Sequence, residues 1–429
     1  MKLLIRGGRV IDPATKTDEV MDLLIEDGTI IARGKALTEM ADQVIDAQGK
    51  WVTPGLIDVH VHLREPGYEY KETIHTGSKA AVMGGYTTIC CMPNTDPVVD
   101  NEIMVEYIKM KAAREGYCHV LPIGAITKGQ EGKELANIGR MVKAGACGIS
   151  EDGKSVMDAG LLKTAMKYSK MFDIPVMSHC EDKSLVGGGV MNAGTQAQLL
   201  GLKGISNDSE EVIIARDILL ARATGARLHL CHVSTKGGIA LIEDAKRHGQ
   251  EVSAEITPHH FTLCDRDVLD YDANTKMNPP LRSMDDVLAL RQALKDDVVN
   301  IIATDHAPHS EDEKNCEYER APFGIVGLET AFALGNTVLV QGGWLTPMQL
   351  IAKMSTNPAR LIHLDKGSLE VGKTADISIF DPEAEVVVCA ADFASKGHNT
   401  PFDGWKVQGK VCYTIVDGQI RMAEGVIQE

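Results

Sequence analysis

The sequence predicts an α/β protein: a (β/α)8 TIM-like barrel with a small β domain built from both chain termini. Three observations carry this expectation. Short apolar strand-like runs alternate with helical patterns through the middle of the chain. Both ends are rich in short strands and turns, and neither has enough strands for a sheet core of its own. Ligand-type residues recur at the ends of successive strand-like runs, where a barrel gathers its active site. At 429 residues the chain has room for one large barrel plus an accessory piece. The expected division is 54–365 for the barrel, with 1–53 and 366–429 pairing into the β domain.

Taken in order, 3–6 and 20–25 read as strands separated by the turn-rich Asp12-Pro13-Ala14-Thr15, and Glu26-Asp27-Gly28-Thr29 reads as a hairpin turn. Strand-like runs follow at 56–63, 87–92, 119–126, 148–150, 175–179, 227–232, 251–257 and 300–304. Helical patterns such as 103–111 and 210–220 lie between most of them. Strands return at 376–382, 385–388 and 411–418. An open doubly wound sheet is the competing architecture, but no glycine-rich phosphate fingerprint follows the first strand of the middle region.

A formal net charge of −16 argues against general nucleic-acid binding, which needs clustered positive surface. The same charge repels an anionic substrate at long range, so such a substrate needs a local arginine or a metal. The ten cysteines form no C-x-x-C pair, and several sit in apolar runs. They read as reduced core residues of a cytoplasmic protein rather than as a zinc ribbon or disulfide framework. The apolar run in the first eight residues is too short for a secretory signal, and no stretch is long enough to span a bilayer.

The richest motif is Gly55-Leu56-Ile57-Asp58-Val59-His60-Val61-His62-Leu63-Arg64-Glu65-Pro66-Gly67. Residues two apart on a strand share a side, so His60 and His62 can face one point, as a zinc site requires. Arg64 beyond them can hold a carboxylate bidentately. Taken alone, the paired histidines read more readily as hydrogen-bonded residues of a partly buried strand. The later strand ends change that balance: Met92-Pro93-Asn94-Thr95, Ser150-Glu151-Asp152-Gly153-Lys154, Ser178-His179-Cys180-Glu181-Asp182, Cys231-His232-Val233-Ser234, Thr257-Pro258-His259-His260 and Ala303-Thr304-Asp305-His306-Ala307-Pro308-His309. Four histidines and two aspartates suffice for two metals sharing a bridge. His60, His62 and Asp305 are assigned to one metal and His179 and His232 to the second.

Asp152 is read as the bridging carboxylate rather than a helix cap. A bridged pair would bring a shared water to hydroxide near neutral pH, and Asp305 would move its proton to a leaving nitrogen. His229 is read as structural, because a regular strand turns it away from the side His232 faces. His259 and His260 are given a supporting or loop role, and His306 a packing one. Lys154 is either a carboxylated bridge or, more commonly for a turn lysine, simply solvated. Asn94, Asn278 in its prolyl turn and His309 are candidate substrate contacts. The polar stretch 310–320 reads as a lid or a mobile surface loop.

These motifs, together with Met277-Asn278-Pro279-Pro280-Leu281-Arg282 and Pro322-Phe323-Gly324, resemble the amidohydrolase superfamily and, within it, the bacterial class I dihydroorotases. The resemblance covers essentially the whole chain. It implies a zinc enzyme of pyrimidine biosynthesis that interconverts N-carbamoyl-L-aspartate and (S)-dihydroorotate. It implies metal binding by His60, His62, Asp152, His179, His232 and Asp305, with Asp305 also the catalytic acid/base. Substrate contacts are implied for His62, Arg64, Asn94, Asn278, His309 and the Phe323-Gly324 backbone. Hydantoinases and many dihydroorotases bridge their metals with a carboxylated lysine on strand four, where this chain has Asp152. That departure leaves one or two Zn²⁺ per chain, two favoured. A homodimer is expected from base rates, and aspartate transcarbamoylase is a possible partner. The rival readings are another cyclic amidohydrolase, such as an allantoinase or hydantoinase, and a non-catalytic partner of aspartate transcarbamoylase.

Overall fold

The computed structural model describes residues 1–428. Among them, each of the eight strand-like runs of the middle region coincides with a barrel strand to within a few residues at either end. These are Leu56–Val61, Tyr86–Cys91, His119–Pro122 continued by Gly124–Ala125, Ile149–Ser150, Val176–Ser178, Leu228–Leu230, Val252–Ile256 and Ile301–Ile302. Neighbours in the ring pair in parallel. The ring closes where the last strand meets the first: Val61 bridges His306, and the His62 N–H donates to the His306 carbonyl at 2.8 Å.

Parallel pairing demands a crossover after each strand, and helices supply it. They include Ile74–Met83, Glu102–Glu115, Ala159–Lys170, Asp208–Thr224, Lys236–Arg247 and Met284–Lys295. Their starts are written in the sequence. Asn101 accepts from the N–H groups of Ile103 and Met104, and Ser283 forms a reciprocal capping box with Asp286. The strands are apolar on both faces because both are covered. Val59, Cys90, Ile123, Met177, Cys231 and Ile301 fill the barrel interior, while a larger cluster packs the outer faces against the helices. The cysteine expectation needs one correction. Most are buried and none is bridged among the described residues, but Cys316 and Cys389 are exposed and so are not core residues.

Both termini share one sheet. Lys2–Asp12, Thr17–Glu26, Thr29–Gly34 and Trp51–Pro54 come from the start of the chain, and Ile377–Val387, Lys406–Val416 and Gln419–Ala423 from its end. The junction is antiparallel, with Ile379 opposite Val52. The runs at 376–382 and 385–388 form one strand, whose register with its neighbour slips between Asp381 and Glu385. Pro382 has no N–H to offer a ladder, which accounts for the slip. The sheet docks on the barrel through Phe380, stacked on Phe332 at 3.7 Å, and through Ser378 and Thr414, whose hydroxyls each donate at 2.6 Å to Gly85 O and Val82 O.

Between the two long C-terminal strands the chain leaves the sheet and crosses to the loops at the C-terminal ends of the barrel strands. Glu329 anchors that excursion by accepting from the N–H groups of Ala394 (3.0 Å) and Ser395 (3.2 Å). Burial pushes the Glu329 carboxyl up to about 7, against the pull of those N–H groups. Between the ordinary carboxylate range and pH 7 the folded protein therefore keeps a proton that the unfolded chain has released. Stability falls as pH rises through that window. Glu329→Gln retains an acceptor oxygen and removes the charge. Its melting temperature is expected to exceed the wild type's at pH 8 and to lose that advantage by pH 5; an equal difference at both pH values would contradict the assignment.

Candidate active site

The strand ends bring six of the predicted residues to one buried point. Asp152 lies at its centre. Its Oδ2 is 3.3 Å from His62 Nε2; its Oδ1 is 3.3 Å from His60 Nε2, 3.6 Å from His179 Nδ1 and 3.7 Å from His232 Nε2. Asp305 Oδ1 closes one side at 3.1 Å from His62 Nε2 and 3.5 Å from His60 Nε2. On the other side His179 Nδ1 and His232 Nε2 approach to 2.9 Å. His60 also groups with Asp152 and His232, so it borders both halves rather than the His62 half alone.

Local backbone makes this convergence possible. Arg64, His232 and Asp305 have φ of 61°, 35° and 50°, a left-handed region that side chains other than glycine rarely enter. The turn at His232 swings its ring inward from a position that regular alternation would send outward. This corrects the side that the His229 ring was expected to face. Because His232 leaves the strand pattern, both rings reach the interior: His229 Nε2 sits 2.8 Å from Glu255 Oε2, and Glu255 Oε1 sits 2.6 Å from His60 Nδ1.

The donor set fits a small divalent cation. Ligand atoms around a tetrahedral ion with bonds of about 2.0–2.2 Å lie about 3.3–3.6 Å from one another. The separations among His60, His62, Asp152 and Asp305 fall in or just below that range. Among the described residues, His60 Nε2 and Asp152 Oδ1 are buried without a hydrogen-bond partner, although they face each other. Atoms aimed at a common third point behave in this way. The charges agree. Burial opposes ionisation of His60, but Asp152, Glu255 and Asp305 outweigh it and hold the imidazole well above its usual pKa. Burial likewise works to raise Asp152, yet the surrounding histidines hold it well below the carboxylate range.

Beside this centre is a cavity of about 170 Å³, lined by His62, Arg64, Asn94, Asn278, Phe323 and Gly324 among others. Several of these groups are already engaged. Asn94 Oδ1 is 2.9 Å from His62 Nδ1, and Asn278 donates to Glu181 Oε1 at 2.7 Å. Arg64 Nε donates to Pro308 O at 3.2 Å, and its Nη2 lies 3.4 Å from His309 Nε2. His309 Nε2 is 2.9 Å from Phe323 O, and the Gly324 N–H donates to Lys276 O. Gly324 has φ of 135°, and a Cβ there would fall 2.8 Å from that of Ala307. His309 lines a separate cavity of about 700 Å³ instead of the smaller one.

The remaining candidates lie elsewhere. Lys154 is exposed and donates to Gln130 O at 3.1 Å, outside the carboxylate–histidine cluster. His260 spans Thr257 Oγ1 and Pro279 O, and burial lowers His259 to about 4. His306 sits 3.3 Å from Glu72. The 310–320 stretch is pinned by Lys314, whose buried ammonium donates to Ala273 O, Lys276 O and Pro322 O. Sequence reading missed Glu255 and Glu181. A carboxylate inside the apolar strand Val252–Ile256 was the available signal for Glu255.

Comparison with known proteins agrees along the whole chain. The family described as Dihydro-orotase-like matches residues 49–238, and the one described as Amidohydrolase family matches 283–422. A dihydroorotase of Pelotomaculum thermopropionicum is 53% identical, with all of both chains covered. One from Acetivibrio thermocellus is 51% identical over 99% of this chain and 100% of its own. Among solved structures, an L-hydantoinase from Arthrobacter aurescens superposes with a TM-score of 0.89 at 26% identity, covering 100% of this chain and 97% of its own.

Metal-ligating histidines keep their tautomer through a partner on the far ring nitrogen, and losing that partner weakens metal affinity about 10–100-fold. Glu255→Gln should therefore release divalent metal to a chelator at correspondingly lower chelator concentration, with the circular dichroism spectrum unchanged. Equal retention by variant and wild type would show that His60 is oriented without it.

Proposed function

This chain belongs to the dihydroorotases of the amidohydrolase superfamily, and from that membership we propose that it interconverts N-carbamoyl-L-aspartate and (S)-dihydroorotate in pyrimidine biosynthesis. One amide-like C–N bond forms with loss of water or breaks with its gain. The observation that carries this reading is the convergence of four histidines and two aspartates on one buried point beside an arginine. His60, His62 and Asp305 would hold one Zn²⁺ and His179 and His232 a second, with Asp152 between them. Zinc, when bound, lowers the pKa of water toward neutrality and polarises a carbonyl oxygen.

The chain's own groups supply the rest. Asp305 Oδ1 faces the point shared by His60 and His62. In ring opening it takes a proton from the attacking water and delivers it to the departing ring nitrogen. In ring closure it returns that proton to the leaving hydroxyl. Arg64 offers a guanidinium for the substrate carboxylate, which a protein of net charge −16 must capture locally. Asn278, Phe323 and Gly324 line the same cavity and would border the ureide, with His309 behind them, held to Phe323 O and beside the Arg64 guanidinium. Asn94 holds the outer nitrogen of His62 while facing the same cavity.

The rival substrates are hydantoins and allantoin, whose rings need not carry a carboxylate. Purified protein should hydrolyse dihydroorotate, lose that activity on chelation and regain it with zinc; verified zinc loading without activity would overturn the reading. Asp305→Asn is expected to lower kcat by about 10²–10⁴-fold, the usual worth of acid–base catalysis. Arg64→Ala should cripple dihydroorotate turnover more than allantoin turnover, and the reverse order would favour the rival.

A further inference from the structure

The segment that leaves the C-terminal sheet carries a residue that the reaction has not yet used. Asn399 is only 5% exposed, and its polar groups are committed to two loops at the mouth of the barrel. Its side-chain nitrogen donates to Ala307 O at 3.1 Å and to Gly324 O at 3.0 Å. Its side-chain oxygen accepts from the His309 N–H at 3.0 Å, and its carbonyl accepts from the Val326 N–H at 3.0 Å. One amide thus joins the turn after the last barrel strand to the Phe323-Gly324 stretch. The neighbouring contacts of the segment support the same placement. A Cβ on Gly397 would meet Pro308 Cβ at 2.6 Å, and the Ser395 hydroxyl bonds the Glu72 carboxylate that also faces His306.

The two loops that Asn399 joins provide His309, Phe323 and Gly324, and Pro308 O also fixes Arg64. Their separation sets where the imidazole and the guanidinium sit relative to each other. Asparagine suits the position because the loops present two carbonyls and one N–H, which an amide with two N–H donors and one oxygen matches. Aspartate would face both carbonyls with acceptors, and alanine would leave all three groups buried and unpaired.

We propose that Asn399 is a positioning residue for substrate binding: by tying Ala307 and His309 to Gly324 it sets the cradle in which Arg64 and His309 receive the substrate carboxylate. The inference rests on the dihydroorotase reading, and wild-type turnover of dihydroorotate tests that reading separately. Asn399 touches neither Asp305 nor the histidine cluster, so its loss acts on binding rather than on proton transfer.

The test is steady-state kinetics on zinc-loaded Asn399→Ala and Asn399→Asp, with metal content measured in each. Both are expected to raise KM for dihydroorotate at least tenfold, with kcat within about threefold of wild type and metal content unchanged. Ser395→Ala loosens the same segment without touching these bonds and is expected to keep the wild-type KM. In an His309→Ala background, Asn399→Ala should add little to KM, because the two act as one unit. A KM within twofold of wild type in both Asn399 variants would overturn the proposal. So would a loss confined to kcat, an equal KM rise in Ser395→Ala, or full additivity with His309→Ala.

Discussion

Asp152 holds the site together: one carboxylate oxygen faces His62, the other faces His60, His179 and His232. Strands one, four, five and six must all end within reach of that group, and the barrel is the architecture that delivers them to one place. Burying Asp152, Asp305 and Glu255 around the His60 imidazole is costly unless cations or hydrogen bonds offset it. The ring is therefore lined with histidines, and Glu255 is braced by His229 on its far side. Strained backbone at Arg64, His232 and Asp305 persists because the surrounding pairing over-determines it.

The small β domain is less an appendage than a frame. Its hydroxyls satisfy carbonyls near the N-terminal ends of the barrel strands, as Ser378 does for Gly85. Its excursion between the strands Ile377–Val387 and Lys406–Val416 climbs to the opposite mouth, where Asn399 ties Ala307 to Gly324. One continuous chain thus braces both ends of the barrel. Contacts more than ninety residues apart in sequence, such as that of Asn399 with Ala307, hold the mouth in shape.

Much of this was legible in the sequence. The apolar runs located the barrel strands because both faces of a parallel sheet are buried, and the strand ends located the six clustered residues because chemistry-bearing side chains break those runs. Two kinds of feature were hidden. The facing of His229 relative to His232 was hidden because parity reasoning assumes a regular strand, and His232 departs from one at φ 35°. Glu255, Glu181 and Asn399 were missed because a buried carboxylate or amide shows its role only through partners distant in sequence. Cys316 sits in the polar stretch 310–320, so its exposure was legible, whereas Cys389 ends the apolar run Val386-Val387-Val388 and is exposed all the same.

The measurement closest to the central claim is anomalous diffraction at the zinc edge from zinc-loaded crystals. Two peaks are expected on either side of Asp152, one among His60, His62 and Asp305 and one beside His179 and His232, each about 2.0–2.2 Å from its ligand atoms. A single peak with Asp152 unligated, or zinc bound away from this cluster, would contradict the account.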